Sequence, residues 1–139
     1  MSKRIFVNLP VDDVTKSVAF YEAIGCVVDA RFSNANAAML AWSDTISFMV
    51  LSKPFYAGFT PKRIIDAKTD TQVLIALGFD SRAEVDAITD AAIAAGGREA
   101  HDPEDTGFMY SRAFEDLDGH GFGPFWMDMD AAVAAMQPA

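Results

Sequence analysis

Two hydrophobic periods alternate along this chain, and they come round twice in the same order. Ile5 to Leu9 is a short, β-rich run with Pro10 behind it, and proline, which lacks a ladder donor, predicts the strand's end there. From Asp12 or Asp13, either suited to cap a helix, Val14, Val18, Tyr21 and Ile24 recur at i, i+4, i+7 and i+10 and form one apolar stripe. Gly25 ends that helix as a left-handed residue just past the last turn. Val27 to Arg31, Ala37 to Trp42 and Ile46 to Leu51 follow as strands, with Ser43-Asp44 as the last turn. The first half reads βαβββ.

The second half repeats the pattern. Gln72 to Phe79 predicts a strand, and Ser81 with Glu84 makes a capping box for a helix whose stripe is Val85, Ile88, Ala92 and Ala95. Gly96-Gly97 stops it. A short strand near Arg98 to Ala100, a loop of Asp, Pro and Glu, and strands from Phe108 to Phe114 and Phe122 to Trp126 complete the module. Ser52 to Asp70 has no clear period and carries Phe55, Tyr56 and Phe59, as a linker or an aromatic flap would. Ala131 to Met136 is Ala-rich and predicts a helix that docks on the surface or on a partner. The expected organisation is a single domain over 1–139: module one at about 4–52, the linker at about 53–70, module two at about 71–128 and a C-terminal helix at about 129–137.

Composition narrows the partners. With 139 residues and 51% hydrophobic content, the chain has enough apolar mass for one ordinary core. A formal charge of -9 repels phosphate backbones and anionic lipid, so neither nucleic acid nor membrane is an expected partner. No window approaches the roughly 20 apolar residues needed to cross a bilayer. Cys26 is the only cysteine and has no partner for an internal disulfide, and Met1-Ser2-Lys3-Arg4 leads into an apolar run too short for a secretory signal. A reducing cytoplasm is the expected setting.

Several motifs, in order, carry a family resemblance. Phe6-Val7-Asn8-Leu9-Pro10-Val11, then Asp13 to Tyr21 and Gly25, resemble the opening of the vicinal oxygen chelate superfamily, which includes glyoxalase I, bleomycin-resistance proteins and extradiol dioxygenases. Asp80 to Asp86, Ala95-Gly96-Gly97 and the turn Asp116-Leu117-Asp118-Gly119-His120 resemble the second module of its small bacterial glyoxalase-like members. The resemblance implies an α+β fold of two βαβββ modules, with curved mixed sheets around a central cavity, and a homodimer.

The resemblance also implies four strand positions for a divalent metal that acts as a Lewis acid on substrate oxygens. Carried onto this sequence they fall at Phe6, within Ile46 to Leu51, at Leu74 and at Gly123. Phenyl, isobutyl and hydrogen side chains supply no donor, whereas a divalent ion needs several oxygen, nitrogen or sulfur ligands. No metal and no other cofactor are therefore expected. His101 sits in a polar loop and His120 in a tight turn, where solvation and turn bonding account for them. Asp116 and Asp118 have the place of turn acids that bond nearby backbone amides.

What remains is an apolar, aromatic pocket. Strand alternation nominates Phe6, Asn8, Phe48 or Met49, Gln72, Leu74, Tyr110, Arg112 and Trp126 as its lining, with Phe55 and Phe59 as lids. Asn8 and Gln72 hold similar places in the two modules, so their amides are expected to converge. Three functions stay open: metal-independent binding of a small hydrophobic or aromatic molecule between the modules, a lyase or dioxygenase of the glyoxalase or extradiol type, and a structural dimer whose cavity is filled by its own side chains.

Overall fold

Asp13 caps the first helix as its sequence predicts, in extended backbone, with its carboxylate accepting from the Lys16 N–H at 3.0 Å. In the computed structural model, which describes residues 3–137, that helix is α1, Val14–Ala23. Met1 and Ser2 of the N-terminal lead lie outside the described residues. Around α1 stand β1 (Ile5–Val11), β2 (Val27–Asp29), β3 (Ala37–Ala41) and β4 (Ile46–Ser52). The second module repeats this with β5 (Leu74–Phe79), α3 (Arg82–Ala94), β6 (Arg98–Asp105), β7 (Met109–Glu115) and β8 (Gly121–Met127). Between them lies α2 (Lys53–Ala57), and α4 (Met129–Met136) follows β8.

Each module forms a four-stranded mixed sheet, in the order β1-β4-β3-β2 and β5-β8-β7-β6. The outer pairs β1·β4 and β5·β8 are parallel and the rest antiparallel, so the two βαβββ units are topological copies. Ser81 caps α3 through the Glu84 N–H at 3.2 Å.

Four elements depart from the sequence reading. Strand β1 runs through Pro10 to Val11, because β1 is an edge strand and the missing N–H costs no ladder bond on its open side. Strand β6 continues past Ala100 through His101, Asp102, Pro103 and Glu104, with register shifts, where an acidic loop was expected. It too is an edge, and its proline and charges suit an edge that pairs with nothing further. Residues 30–32 leave β2 as a 3-10 turn, held by Asp29, whose carboxylate accepts the Arg31 N–H at 3.1 Å. The linker begins with α2, capped by Ser52 with Pro54 in its first turn.

The core joins the modules. Phe20 and Tyr21 of α1 are buried with Phe48 of β4, Phe114 of β7 and Phe122 of β8, and Phe114 stacks on Phe122 with ring centroids 5.1 Å apart. Phe48 and Phe122, from different sheets, meet edge to face at 5.6 Å. Fully burying one such ring contributes about 1.5–3 kcal/mol. This explains why the buried face of α1 includes Ser17 and Phe20 beside the predicted stripe: the helix packs on both sheets, not one.

At the seam the turn Asp116 to His120 is clamped. Gly119 has φ 95°, and a Cβ there would lie 2.7–2.8 Å from the backbone of Ala67 and Lys68, so only glycine lets the linker pass over the turn. Among the described residues no helix is long and apolar enough to cross a membrane.

Candidate functional site

Strand alternation gives each sheet a core face and an outer face. In the first sheet Leu9, Val11, Leu40, Phe48 and Val50 belong to the core, which leaves Asn8, Ala37, Met49 and Leu51 on the outer face. A cleft of about 360 Å³ lies there, within the range of small-molecule sites. Its floor is Met49 and Leu51 of β4 with Ala37 of β3. Asn8 of β1 stands at one side, the turn Arg31-Phe32 and the loop Ser33-Asn34 at another, and Phe55 and Phe59 cover it from α2 and the residues just after.

Local sequence positions each wall. Asp29 holds Arg31 through two side-chain bonds, 3.0 Å to Nε and 2.7 Å to Nη2, and its carboxylate pKa is lowered by those bonds. The Ser33 hydroxyl donates to the Asp29 carbonyl at 2.7 Å and accepts from the Met39 N–H at 3.2 Å, which pins the loop to β3. Asn34 Oδ1 accepts from the backbone N–H groups of Asn36 (2.8 Å) and Ala37 (3.2 Å) in an Asx-type turn. Phe55 and Phe59 pack edge to face at 5.3 Å, one turn of chain apart, so the cover is a paired unit.

Of the sequence-nominated lining, the structure brings Asn8, Phe55 and Phe59 together, with Met49 as the alternative to Phe48. The other nominees lie elsewhere. Phe48 points into the core against Tyr21, Trp42 and Phe122, because it falls on the opposite parity of β4 from Met49. Phe6 is exposed on β1 and Leu74 is 78% exposed at the start of β5, both outside the cleft. Gln72 precedes β5 and does not line the cleft with Asn8, so the two amides do not converge there.

Tyr110, Arg112 and Trp126 face α3 instead of a ligand space. The Tyr110 hydroxyl donates to Asp86 of α3 at 2.6 Å. Arg112 reaches Asp86 (3.1 Å), Asp90 (3.0 Å) and Glu99 (2.8 Å), and although burial opposes its charge, those hydrogen bonds raise its pKa. Trp126 lies under the Arg82 guanidinium, 5.0 Å from ring centroid to carbon, which also covers the Tyr110 ring. These three fasten α3 to its sheet. Sequence reasoning missed Arg31, Phe32, Ser33, Asn34, Ala37 and Leu51; the polar run Ser33 to Asn36 before β3 was the available signal for a loop at a cleft mouth.

A second crevice, of about 260 Å³, lies at the seam between Pro10, Asp12, Lys53, Asp118, His120 and linker residues 64–68. Its groups answer one another. Lys53 pairs with Asp12 at 2.7 Å, and Asp118 accepts the Asp12 N–H at 2.9 Å while burial raises its pKa. One His120 ring nitrogen, Nε2, lies 2.8 Å from the Pro10 carbonyl, and since a carbonyl only accepts, that nitrogen carries the proton. This is a joint between modules. Cys26 is buried, which pushes its thiol up to about 12 and leaves it without thiolate chemistry.

No family model matches the sequence, and no curated protein matches it. Solved structures do. A hypothetical protein from S. aureus is similar at 25% identity over 91% of this chain and 95% of that one, with a TM-score of 0.77. A glyoxalase/bleomycin resistance protein/dioxygenase family enzyme from Burkholderia phytofirmans PsJN matches at 20% identity, 91% and 99% coverage and a TM-score of 0.73. A bleomycin resistance determinant encoded on the transposon Tn5 matches at 21% identity, 91% and 99% coverage and a TM-score of 0.62. The chain has the glyoxalase/bleomycin-resistance/dioxygenase fold.

The metal that this fold's enzymes imply can be tested against the side chains present. Phe6 and Leu74 offer only carbon, Gly123 offers no side chain, and the outer positions of β4 are Ser47, Met49 and Leu51. Among the described residues no group of three or more His, Cys, Asp or Glu side chains is placed to hold a metal ion. The residues do not fit the group.

Proposed function

We propose that this glyoxalase-fold chain binds a small hydrophobic or aromatic molecule without a metal, in the cleft on the outer face of its first sheet. The observation that carries this reading is the cleft itself: an apolar floor of Met49 and Leu51 beneath the paired rings of Phe55 and Phe59, with a few polar groups at the rim. The lack of donor side chains at Phe6, Leu74 and Gly123 favours binding over the metal-dependent lyase or dioxygenase alternative.

The chain acts, on this proposal, as a cytoplasmic homodimer. Ile5 and Phe6 on the free edge of β1, and Val73 and Leu74 at the start of the other edge strand β5, expose large apolar side chains. Such edges invite pairing with a second copy.

The test is a thermal-shift screen of hydrophobic and aromatic compounds on protein purified without chelator, with metal content measured in parallel. A binder stabilises the chain by mass action at saturation, and Phe55→Ala with Phe59→Ala removes the shift. Binding that persists in the double variant, or that requires stoichiometric bound metal, overturns the proposal.

A further inference from the structure

Resting on the reading of the outer cleft as a small-molecule site, we infer that its ligand is an aromatic carboxylate, with the ring beneath Phe55 and Phe59 and the acid group at Arg31 and Asn34. The argument is an account of which polar groups in the lining are already spent. The Ser33 hydroxyl has spent its one donor on the Asp29 carbonyl and one lone pair on the Met39 N–H, which leaves a single lone pair and no donor. Asn34 spends its carbonyl oxygen on two backbone N–H groups, so what it has left is the NH₂. Arg31 commits Nε and one N–H of Nη2 to Asp29, and keeps two N–H groups on Nη1 and one on Nη2.

The unspent groups are therefore mostly donors. Beside the one lone pair left on Ser33, the Asn8 amide, whose side chain makes no hydrogen bond to the described residues, adds an acceptor together with its own NH₂ donors. Among the described residues no aspartate or glutamate lines the cleft, although the chain as a whole carries an excess of acids. A molecule rich in acceptors satisfies this lining; an amine would meet donors and leave them unpaired.

Asp29 sharpens the selection. By pairing side-on with the Nε/Nη2 edge of the guanidinium it orients the Nη1/Nη2 edge, at the cost of offsetting the charge. Recognition then depends on directed N–H groups more than on long-range attraction, as the net charge of -9 requires of any site for an anion. The flat partner is set by the walls: Phe32, Phe55 and Phe59 supply three aromatic rings, the first with the Arg31 guanidinium 5.5 Å over its centroid, and Met49 is an adaptable side chain on the floor.

The experiment compares three probes with one ring system, 2-naphthoate, 2-naphthamide and 2-naphthylmethylammonium, by NMR titration of the full-length ¹⁵N-labelled chain. The expected result is that naphthoate binds about tenfold more tightly than naphthamide, the ammonium probe more weakly than either, with shifts at residues 31–37 and 55–59. Asn34→Asp keeps the Oδ1 that closes the turn and replaces the NH₂ with a carboxylate oxygen; it should cut the naphthoate preference by about tenfold. Arg31→Gln, at a largely exposed side chain, should do the same. If naphthamide binds as well as naphthoate while the same residues shift, the carboxylate inference falls and the binding site stands. If none of the probes moves cleft residues at millimolar concentration, the site reading falls and takes the inference with it.

Discussion

The Tyr21 hydroxyl donates to Asp116 Oδ2 at 2.6 Å, across 95 residues of chain and out of contact with solvent. Tyr21 belongs to the helix of the first module and Asp116 to the turn of the second, so one hydrogen bond pins the two repeats at their shared core. The other carboxylate oxygen accepts the backbone N–H groups of Asp118 (3.0 Å) and His120 (2.9 Å), which shapes the turn from within. Tyr21→Phe keeps the ring and leaves a buried carboxylate oxygen short of a partner. The expected cost is about 1–3 kcal/mol, measured by urea unfolding near neutral pH. A loss within error would mean that the clasp adds nothing to docking.

Burial first, and then the Asp116 charge, raise the Tyr21 pKa well above its ordinary value. The folded chain keeps this proton at a pH where the unfolded chain releases it. The stabilisation is thus complete below about pH 10 and declines as pH rises past it, by about 1.4 kcal/mol per unit until the folded pKa is reached. Other groups titrate there too, but they cancel between wild type and Tyr21→Phe. Between about pH 9 and pH 11, the stability gap between the two should hold at first and then narrow once pH passes about 10. A gap that is constant over that range would show that Tyr21 titrates alike in both states.

Much of the fold was legible because both repeats write their helices in full: a cap, an apolar stripe and a terminating glycine. Capping by Asp13 and Ser81 and the stops at Gly25 and Gly96 depend on local backbone needs that sequence displays directly. The site was less legible. Phe48 and Met49 are adjacent, both apolar, and differ only in parity, which depends on which face of β4 meets the other module. Arg112 looked like a pocket residue because strand alternation turns it to one face with Tyr110, yet the acids on that face come from α3 and β6, placed by tertiary packing. Arg31 was hidden for the opposite reason, since it extends a strand-like run and leaves it only because Asp29 bends the chain.

Arg112 offers a direct check on that distinction. Its side chain is 11% exposed and serves Asp86, Asp90 and Glu99 at once. Arg112→Leu should cost about 1–3 kcal/mol, less than a fully buried pair would lose, because the stranded acids are open enough to rehydrate. Ligand affinity at the cleft should stay within about twofold, since the residue lies on the helix side of the other sheet. A selective loss of binding in a stably folded variant would return Arg112 to the site.

Gly123 tests whether the missing carboxylate is a matter of space. A Cβ built there meets nothing nearer than the Arg112 carbonyl oxygen at 4.0 Å, and its φ lies outside the left-handed region. Gly123→Glu should fold with stability within about 1 kcal/mol of wild type. Zinc should not raise the melting temperature of the variant, because Phe6 and Leu74 still give the ion no donors. A zinc-dependent rise absent from wild type would show that the remaining positions can complete a coordination shell.

The free edge of β5 carries the last prediction. Leu74 is 78% exposed at the strand's first residue and paired only with Gly121 on its inner side, while Phe6 and Ile5 are exposed on the corresponding edge of the first sheet. Because so little of the Leu74 side chain is buried within the chain, Leu74→Arg should change monomer stability by no more than about 0.5 kcal/mol. An arginine in a paired edge would bring an uncompensated charge into an apolar contact and meet its symmetry mate, a cost that shifts association by orders of magnitude. Sedimentation velocity should find wild type dimeric and Leu74→Arg monomeric at the same micromolar loading, with melting less cooperative only to the extent that the dimer contributed. A variant that remains dimeric would move the interface away from β5, and a wild type that is monomeric would remove it.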